Sequence, residues 1–454
     1  MEKQGLGFRR VVLVPCPWQG HINPMLRLGT ILHSKGFSIT VAHTQSNSPN
    51  TGNHPDFVFL PILSEKKSSE CNDSVDFVVS LSSLNLNHKA SLQKILARIV
   101  EQEQKQHEGL PCIIYDALMY SVEEVAHSLK LPSIILHTSS ATSVVSFFAY
   151  AQLREEGRIP SQGSESMELV PGYHSVGFKD LPVFDFKNED SLLELTATLR
   201  NTGSSSAIIW NSMDCLEQSS LAHFQQQCQV PNFSLCPMQK MAPASSGSLW
   251  EEDHSCITWL DKQTENSVIY VSFGSVVIID EKDVAEIGWG LANSKQPFLW
   301  VLRPGSVNGS NSADDLLSDD FKETVGERGC IVKWAPQEQV LGHRAVGGFL
   351  SHCGWNSTLE SISEGVPMIC RPSFHDQRVN TRYISHVWRV GITLENGLER
   401  EEIQKAIKTL MAEKQGEEIR ERAANLKRKT EIAIQKNGSS YNSLNELVEF
   451  IISL

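Results

Sequence analysis

Residues 334–377 read WAPQEQVLGHRAVGGFLSHCGWNSTLESISEGVPMICRPSFHDQ. Gly347–Leu350 is an apolar run of strand length, His352-Cys353-Gly354-Trp355-Asn356-Ser357 turns it into a helix, and Met368–Cys370 is a second strand. That strand, helix, strand unit is the repeat from which parallel sheets are wound. The rhythm extends outward. On the N-terminal side it continues through strands Val268–Phe273, Phe298–Leu302 and Cys330–Lys333 with a helix over Glu281–Asn293. Further back, strands are expected at Val11–Val14, Phe37–Ala42, Phe57–Leu60, Cys112–Tyr115, Ser133–Leu136 and Ala207–Trp210, with helices such as Pro24–Ser34 and Leu92–Glu103 between them. Pro, Ala, Ser and Gly crowd together at Cys236–Asp253, the composition of a linker. The fold class is therefore α/β, with two doubly wound domains over 1–237 and 254–435, a linker over 238–253 and a C-terminal helix over 436–454 that packs back on the first domain. The Pro-, Gly- and Ser-rich stretch Gly157–Leu195 reads as loops and short helices, a frequent place for a binding surface.

Composition narrows the function. The 454 residues carry 40 Lys plus Arg against 53 Asp plus Glu, a net charge of −13. No overall basic field exists to hold nucleic acid or an anionic membrane, so phosphate must be held locally. Ten Cys are scattered without a C-x-x-C pair, unlike a zinc site or disulfide framework, and a reducing compartment fits. The apolar run VVLVPCP near the N-terminus is too short for a signal core, and no run approaches a membrane span. The expectation is a cytosolic monomer, in which the sequons at Asn72, Asn232, Asn308, Asn356 and Asn437 stay unmodified.

In open α/β sheets, ligands bind beyond the carboxyl ends of the strands. There Val11–Val14 leads into Pro15-Cys16-Pro17-Trp18-Gln19-Gly20-His21, and Cys112–Tyr115 into Asp116. A His whose tautomer is fixed by a carboxylate is a tuned general base; the bland alternative is a loop His and a helix-capping Asp. The turn before Asn356 offers helix N–H groups to a phosphate, with His352, Asn356 and Ser357 as side-chain donors. Glu360, one helical turn deeper, suits a ribose diol, and Trp334 offers a ring for base stacking. Gly274-Ser275 forms a second glycine turn, and Asp376-Gln377 follows another strand end. Taken singly, each of these can be a cap, a solvated polar residue or a core anchor; jointly they describe a nucleotide site.

The 44-residue stretch 334–377 resembles the signature box of plant UDP-dependent glycosyltransferases almost residue for residue. The likeness runs through the chain: Gln19-Gly20-His21-Ile22-Asn23-Pro24 is similar to the family's catalytic loop, Tyr115-Asp116-Ala117 to its Asp segment, and Val271-Ser272-Phe273-Gly274-Ser275 to its phosphate turn. Lys35-Gly36-Phe37-Ser38-Ile39-Thr40 and Asn437-Gly438-Ser439-Ser440 are similar to the group containing the stevia steviol-glycoside glucosyltransferase. The resemblance implies a GT-B fold, two Rossmann-like domains facing across a cleft, the first binding acceptor and the second UDP-sugar. It implies His21 as base with Asp116 as its partner, and Trp334, with Ala335 and Gln337 beside it, on the uracil. Glu360 would hold the ribose, Ser275, His352, Asn356 and Ser357 the diphosphate, and Trp355, Asp376 and Gln377 the sugar. A terminal Gln is associated with glucose, so UDP-glucose is the expected donor. Two departures are His375, where a small residue is usual, and Arg371, where Trp is frequent. No D-x-D triplet occurs, consistent with no metal and no cofactor, the helix N-terminus and His352 meeting the leaving-group charge.

The implied reaction is an in-line displacement in which His21 deprotonates an acceptor hydroxyl or carboxyl and the α-linked donor yields a β-glucoside. The acceptor is a small lipophilic metabolite, its pocket drawn from Trp18, Gly20, Leu118–Tyr120, Thr138, Ser139, Ser140 and the Gly157–Leu195 region. A UDP-sugar epimerase or hydrolase on the same fold, and a non-catalytic UDP-sugar sensor, are the rival readings. A dinucleotide dehydrogenase, a phosphate-loop kinase and a serine hydrolase lack their glycine or serine signatures.

Overall fold

The computed structural model describes residues 9–65, 77–106, 109–159, 166, 168–170, 175–181, 189–200, 204–242, 249–308, 317–374 and 376–454. The chain divides into two compact units. One comprises Met1–Gln162, Phe184–Leu249 and Ile432–Leu454; the other comprises Gly163–Val183 and Trp250–Glu431.

The first unit is built on seven strands: β1 (Arg10–Val14), β2 (Ser38–Thr44), β3 (Val58–Ile62), β4 (Cys112–Asp116), β5 (Ser133–His137), β6 (Ala207–Trp210) and β7 (Asn232–Ser234). They lie in the order β3-β2-β1-β4-β5-β6-β7, every pair parallel. A parallel sheet covered on both faces needs apolar residues at consecutive positions rather than alternate ones, which is why β1 reads VVLV. Val11 and Leu13 face one core, shared with the helices Gln19–Ser34 and Ser439–Ser453. Val12 and Val14 face the other, shared with Phe77–Gln106 and Ser121–Ser128. The C-terminal helix places Leu444, Leu447 and Ile451 in the first of these cores, roughly 1.5–3 kcal/mol for each buried side chain before entropy. Ser440 Oγ pins its start by donating to the Cys236 carbonyl at 2.6 Å.

The second unit carries β8 (Val268–Ser272), β9 (Phe298–Val301), β10 (Gly329–Val332), β11 (Val346–Ser351), β12 (Met368–Cys370) and β13 (Gly391–Thr393), all parallel in the order β10-β9-β8-β11-β12-β13. In each sheet the order reverses once, between β1 and β4 and between β8 and β11, and the crevice beyond such a point is where ligands sit.

The path of the chain departs in places from the even division read in the sequence. Within 1–237, the described residues of Gly163–Val183 group with the second unit. There Arg382 Nε donates to the Ser175 carbonyl at 3.0 Å and lies 3.5 Å from an Asp180 carboxylate oxygen. Met238–Met241 forms a helical turn inside the stretch read as linker. The helix expected at Leu92–Glu103 runs over Phe77–Gln106; its early turns, VVSLSSLNLN, hide the apolar spacing among Ser and Asn. Residues 66–76, most of 160–174, 182–188, 243–248 and His375 lie outside the described residues, so the reading of Gly157–Leu195 meets the structure only in part. Among the described residues no helix is long and apolar enough to cross a membrane.

Candidate functional site

At the switch point of the first sheet, the loop after β1 ends in the helix Gln19–Ser34, whose first turn carries His21. Asp116 is the last residue of β4 and is 1% exposed. His21 Nδ1 lies 2.8 Å from Asp116 Oδ2; a carboxylate only accepts, so the proton sits on Nδ1 and the basic lone pair on Nε2. Thr138, just beyond β5, places its hydroxyl oxygen 2.8 Å from the same Nδ1 and donates to Asp116 Oδ2 at 3.3 Å. The Leu118 N–H donates to Asp116 Oδ1 at 2.9 Å. Both carboxylate oxygens are thus engaged, and the ring is held by its neighbours rather than by solvent. Asp116 also acts on the surrounding groups. Burial pushes the Cys16 thiol up, and the Asp116 charge adds to it; burial brings His137 down to about 4 against the opposing pull of Asp116.

Beside His21 lies an apolar wall. The Trp18 ring meets the imidazole edge-on at 5.6 Å between centroids and stacks on Phe77 at 5.7 Å. Leu118, Tyr120 and Phe147 pack with Trp18 against Val78, Leu81 and Leu195. Trp18, Leu118 and Thr138 from the sequence reading thus gather near His21, Gly20 is exposed and Ser139 half-buried. Phe77 and Phe147 belong to the same wall and were not anticipated, since each lies inside a helix with no strand-end signal.

The second constellation lies wholly in the second unit. Trp334 follows β10 and lies 6.2 Å from Trp250 between ring centroids; Ala335 is buried behind it. Gln337 opens the next helix, and its amide donates to Glu360 Oε2 at 2.7 Å and Ser357 Oγ at 2.9 Å, while Tyr270 donates to its carbonyl at 3.1 Å. Burial raises the Tyr270 phenol, keeping it a donor. Gln337, itself held by Tyr270, therefore orients Glu360 from one side. Tyr270, buried in β8, escaped the sequence reading because it looks like any strand residue.

The helix Trp355–Glu364 begins after Gly354, so no side chain caps its first N–H groups from that position, which leaves a partial positive charge for an anion. Asn356 and Ser357 sit in its first turn. His352 occupies the space between two glycines: a Cβ at Gly274 would come within 2.7 Å of the ring, and one at Gly354 within 2.6 Å. Burial lowers His352 to about 4, with a bond to the Ser272 backbone partly offsetting it, so the ring is neutral near pH 7. Its Nδ1 has no hydrogen-bond partner among the described residues. Ser275 is half-buried in the turn that also holds Gly274. Trp355 is 5% exposed and packs toward Trp388 at 6.4 Å. Gln377 Oε1 accepts the N–H groups of Ser373 and Phe374 at 2.8 and 3.2 Å, closing the loop after β12. Asp376 Oδ2 accepts from Asn380 at 3.1 Å. Among the described residues no group of three or more His, Cys, Asp or Glu is arranged to hold a metal.

Known proteins share this arrangement of sequence and fold. The family described as UDP-glucoronosyl and UDP-glucosyl transferase matches residues 231–428. A UDP-glycosyltransferase 76E1 of Solanum lycopersicum is 48% identical over 447 residues, 98% of this chain and 92% of that protein. A flavonol 3-O-glucosyltransferase of Arabidopsis thaliana is 43% identical over 452 residues, 98% of this chain and 97% of its own. Among solved structures, a UDP-glucosyltransferase of Polygonum tinctorium capable of glucosylating indoxyl superposes with a TM-score of 0.84 at 28% identity, covering 99% of this chain and 100% of that one. Phytolacca americana UGT2, complexed with UDP-2fluoro-glucose and pterostilbene, gives 0.82 at 25% identity, covering 98% and 100%. The two Rossmann-like units are those of a GT-B fold, and the chain belongs to the plant UDP-glycosyltransferase family.

Proposed function

We propose that the protein transfers glucose from UDP-glucose to a hydroxyl or carboxyl group of a small lipophilic plant metabolite, with inversion to a β-glucoside. The observation that carries the chemistry is the 2.8 Å contact between His21 Nδ1 and Asp116. That contact supports a basic lone pair on Nε2, which in this reading takes the acceptor proton as the acceptor oxygen attacks the anomeric carbon. Asp116 stabilises the imidazolium as it forms, with Thr138 holding the pair in register.

The donor is assigned to the second unit. Gln337 and Glu360 suit the uracil and the ribose diol, with Trp334 as the stacking surface. The N–H groups of the helix Trp355–Glu364, together with Ser275, His352, Asn356 and Ser357, meet the diphosphate charge as UDP leaves. This donor set supports a reaction in which no metal is needed to neutralise the leaving group. Trp355, Asp376 and Gln377 are assigned to the hexose. Trp18, Gly20, Leu118, Thr138 and Ser139 are assigned to the acceptor side, where the apolar wall favours an aromatic or terpenoid skeleton. A flavonol glucosyltransferase among the relatives supports such acceptors. Nine described cysteines held as free thiols suit a reducing, cytosolic setting.

Incubation with UDP-glucose and a panel of lipophilic phenols, alcohols and acids, with product linkage read by NMR, tests the proposal. A β-glucoside is expected. An α-glucoside would rule out a single displacement, while sugar isomerisation or UDP release without acceptor would favour an epimerase or hydrolase.

A further inference from the structure

Cys353, in the loop between β11 and the helix Trp355–Glu364, has φ of 65°, the left-handed region that favours glycine. Holding a non-glycine residue there costs on the order of 1 kcal/mol or more, and its surroundings supply the restraint. Its N–H donates to Ser351 Oγ at 3.1 Å, and its carbonyl accepts from Asn380 Nδ2 at 3.0 Å. The same Asn380 nitrogen donates to Asp376 Oδ2 at 3.1 Å. Asn380 is 1% exposed, on the helix Gln377–Arg382. A primary amide has two N–H groups, and here one goes to the loop that opens the anion-binding helix and the other to a carboxylate assigned to the hexose.

We infer that Asn380 is a positioning residue that fixes the diphosphate loop and the Asp376 carboxylate in one geometry, so that binding of the phosphates and of the sugar depends on a single buried amide. This rests on the donor assignment proposed above. Both donor N–H groups of the amide are taken up by the Cys353 carbonyl and Asp376, leaving neither for the side chains assigned to base and ribose, which sets its effect apart from general damage to the unit.

The test compares wild type, Asn380→Ala and the isosteric Asn380→Asp, which keeps the shape and removes the donors. Dissociation constants for uridine, UDP and UDP-glucose are measured on the full chain, uridine by competition. Expected are a loss of about tenfold or more for UDP, the equivalent of one buried hydrogen bond, a larger loss for UDP-glucose, and a change under about twofold for uridine. Combining Asn380→Ala with Asp376→Ala should weaken UDP-glucose binding by less than the product of the single effects, because both remove the same contact. UDP affinity within twofold of wild type in either folded variant overturns the inference. So does an equal loss for uridine and UDP, which marks a general structural role. A wild-type protein that binds no UDP would instead sink the donor assignment itself.

Discussion

Replacing Asp116 with Asn tests how the proposed catalytic pair is held. The carboxylate accepts from His21 and Thr138 on Oδ2 and from the Leu118 N–H, 2.9 Å away, on Oδ1. An amide cannot satisfy both sides. With its NH2 toward Leu118, two donors face one another in a buried site. With its NH2 toward His21, the imidazole proton is driven to Nε2 and the base is consumed. One unsatisfied buried donor costs about 1–3 kcal/mol, and losing the charge that stabilises a forming imidazolium adds a comparable amount. A total of roughly 2–6 kcal/mol, at about 1.4 kcal/mol per tenfold, corresponds to a fall of about 30-fold to 10⁴-fold in kcat/KM. Initial rates with two or more acceptors provide the measurement, alongside calorimetric titration with UDP, which should stay within about twofold because Asp116 lies in the first unit and the residues proposed for UDP lie in the second. A folded variant that retains more than about a tenth of wild-type turnover would refute the assignment of His21 as an oriented base.

Three further outcomes follow from geometry elsewhere. Gly274→Ala puts a Cβ 2.7 Å from the His352 ring at a φ of 74°; UDP affinity should fall about tenfold or more and thermal stability by roughly 1–3 kcal/mol, and unchanged UDP binding would show that the His352 position is irrelevant to phosphate. Glu217, 2% exposed, accepts the N–H groups of Ala141 and Thr142 at 3.0 and 2.8 Å at the start of the helix Ala141–Glu155 and also the Ser212 hydroxyl. Glu217→Ala should cost about 2–4 kcal/mol in urea unfolding, and a loss below about 0.5 kcal/mol would contradict that role. Burial lowers His137 to about 4 from an ordinary 6.5, so the unfolded chain takes up the proton first as pH falls. The stability tied to the neutral ring is therefore intact above about pH 6.5 and lost progressively toward pH 4, up to about 3 kcal/mol. His137→Phe, which can keep the stack on Trp210 at 4.1 Å, should flatten the acid limb of a denaturation series. An unaltered limb would mean that other groups set it.

What the sequence made legible follows from what burial demands. Strands buried on both faces, such as β1 and β4, announce themselves as apolar runs, and a polar residue at the carboxyl end of a run, such as Asp116, or just beyond it in the following loop and helix, such as His21, stands out against it. The edge strands β7 and β13, three residues each, carry no such contrast. Local pattern is also silent on groups that act from inside an element. Tyr270 reads as one more strand residue until its hydroxyl is seen on Gln337, and Asn380 as one more helix residue until its amide is seen bridging Cys353 and Asp376. The glycines at 274 and 354 were legible as turns, but the reason both must be glycine is the one imidazole packed against the pair.

The helix Ser439–Ser453 lends Leu444, Leu447 and Ile451 to the sheet that begins at Arg10. On the ribosome, then, the unit begun first is the one that must wait: one side of its sheet, partly covered from the outset by the helix Gln19–Ser34, gains the rest of its apolar cover only once residues 439–453 have been made. The second unit, drawn largely from the span Trp250–Glu431, is under no such delay. Removing the terminal dozen residues would consequently injure the opposite end of the polypeptide, and the damage would surface as aggregation of newly made chains before any loss of affinity for nucleotide.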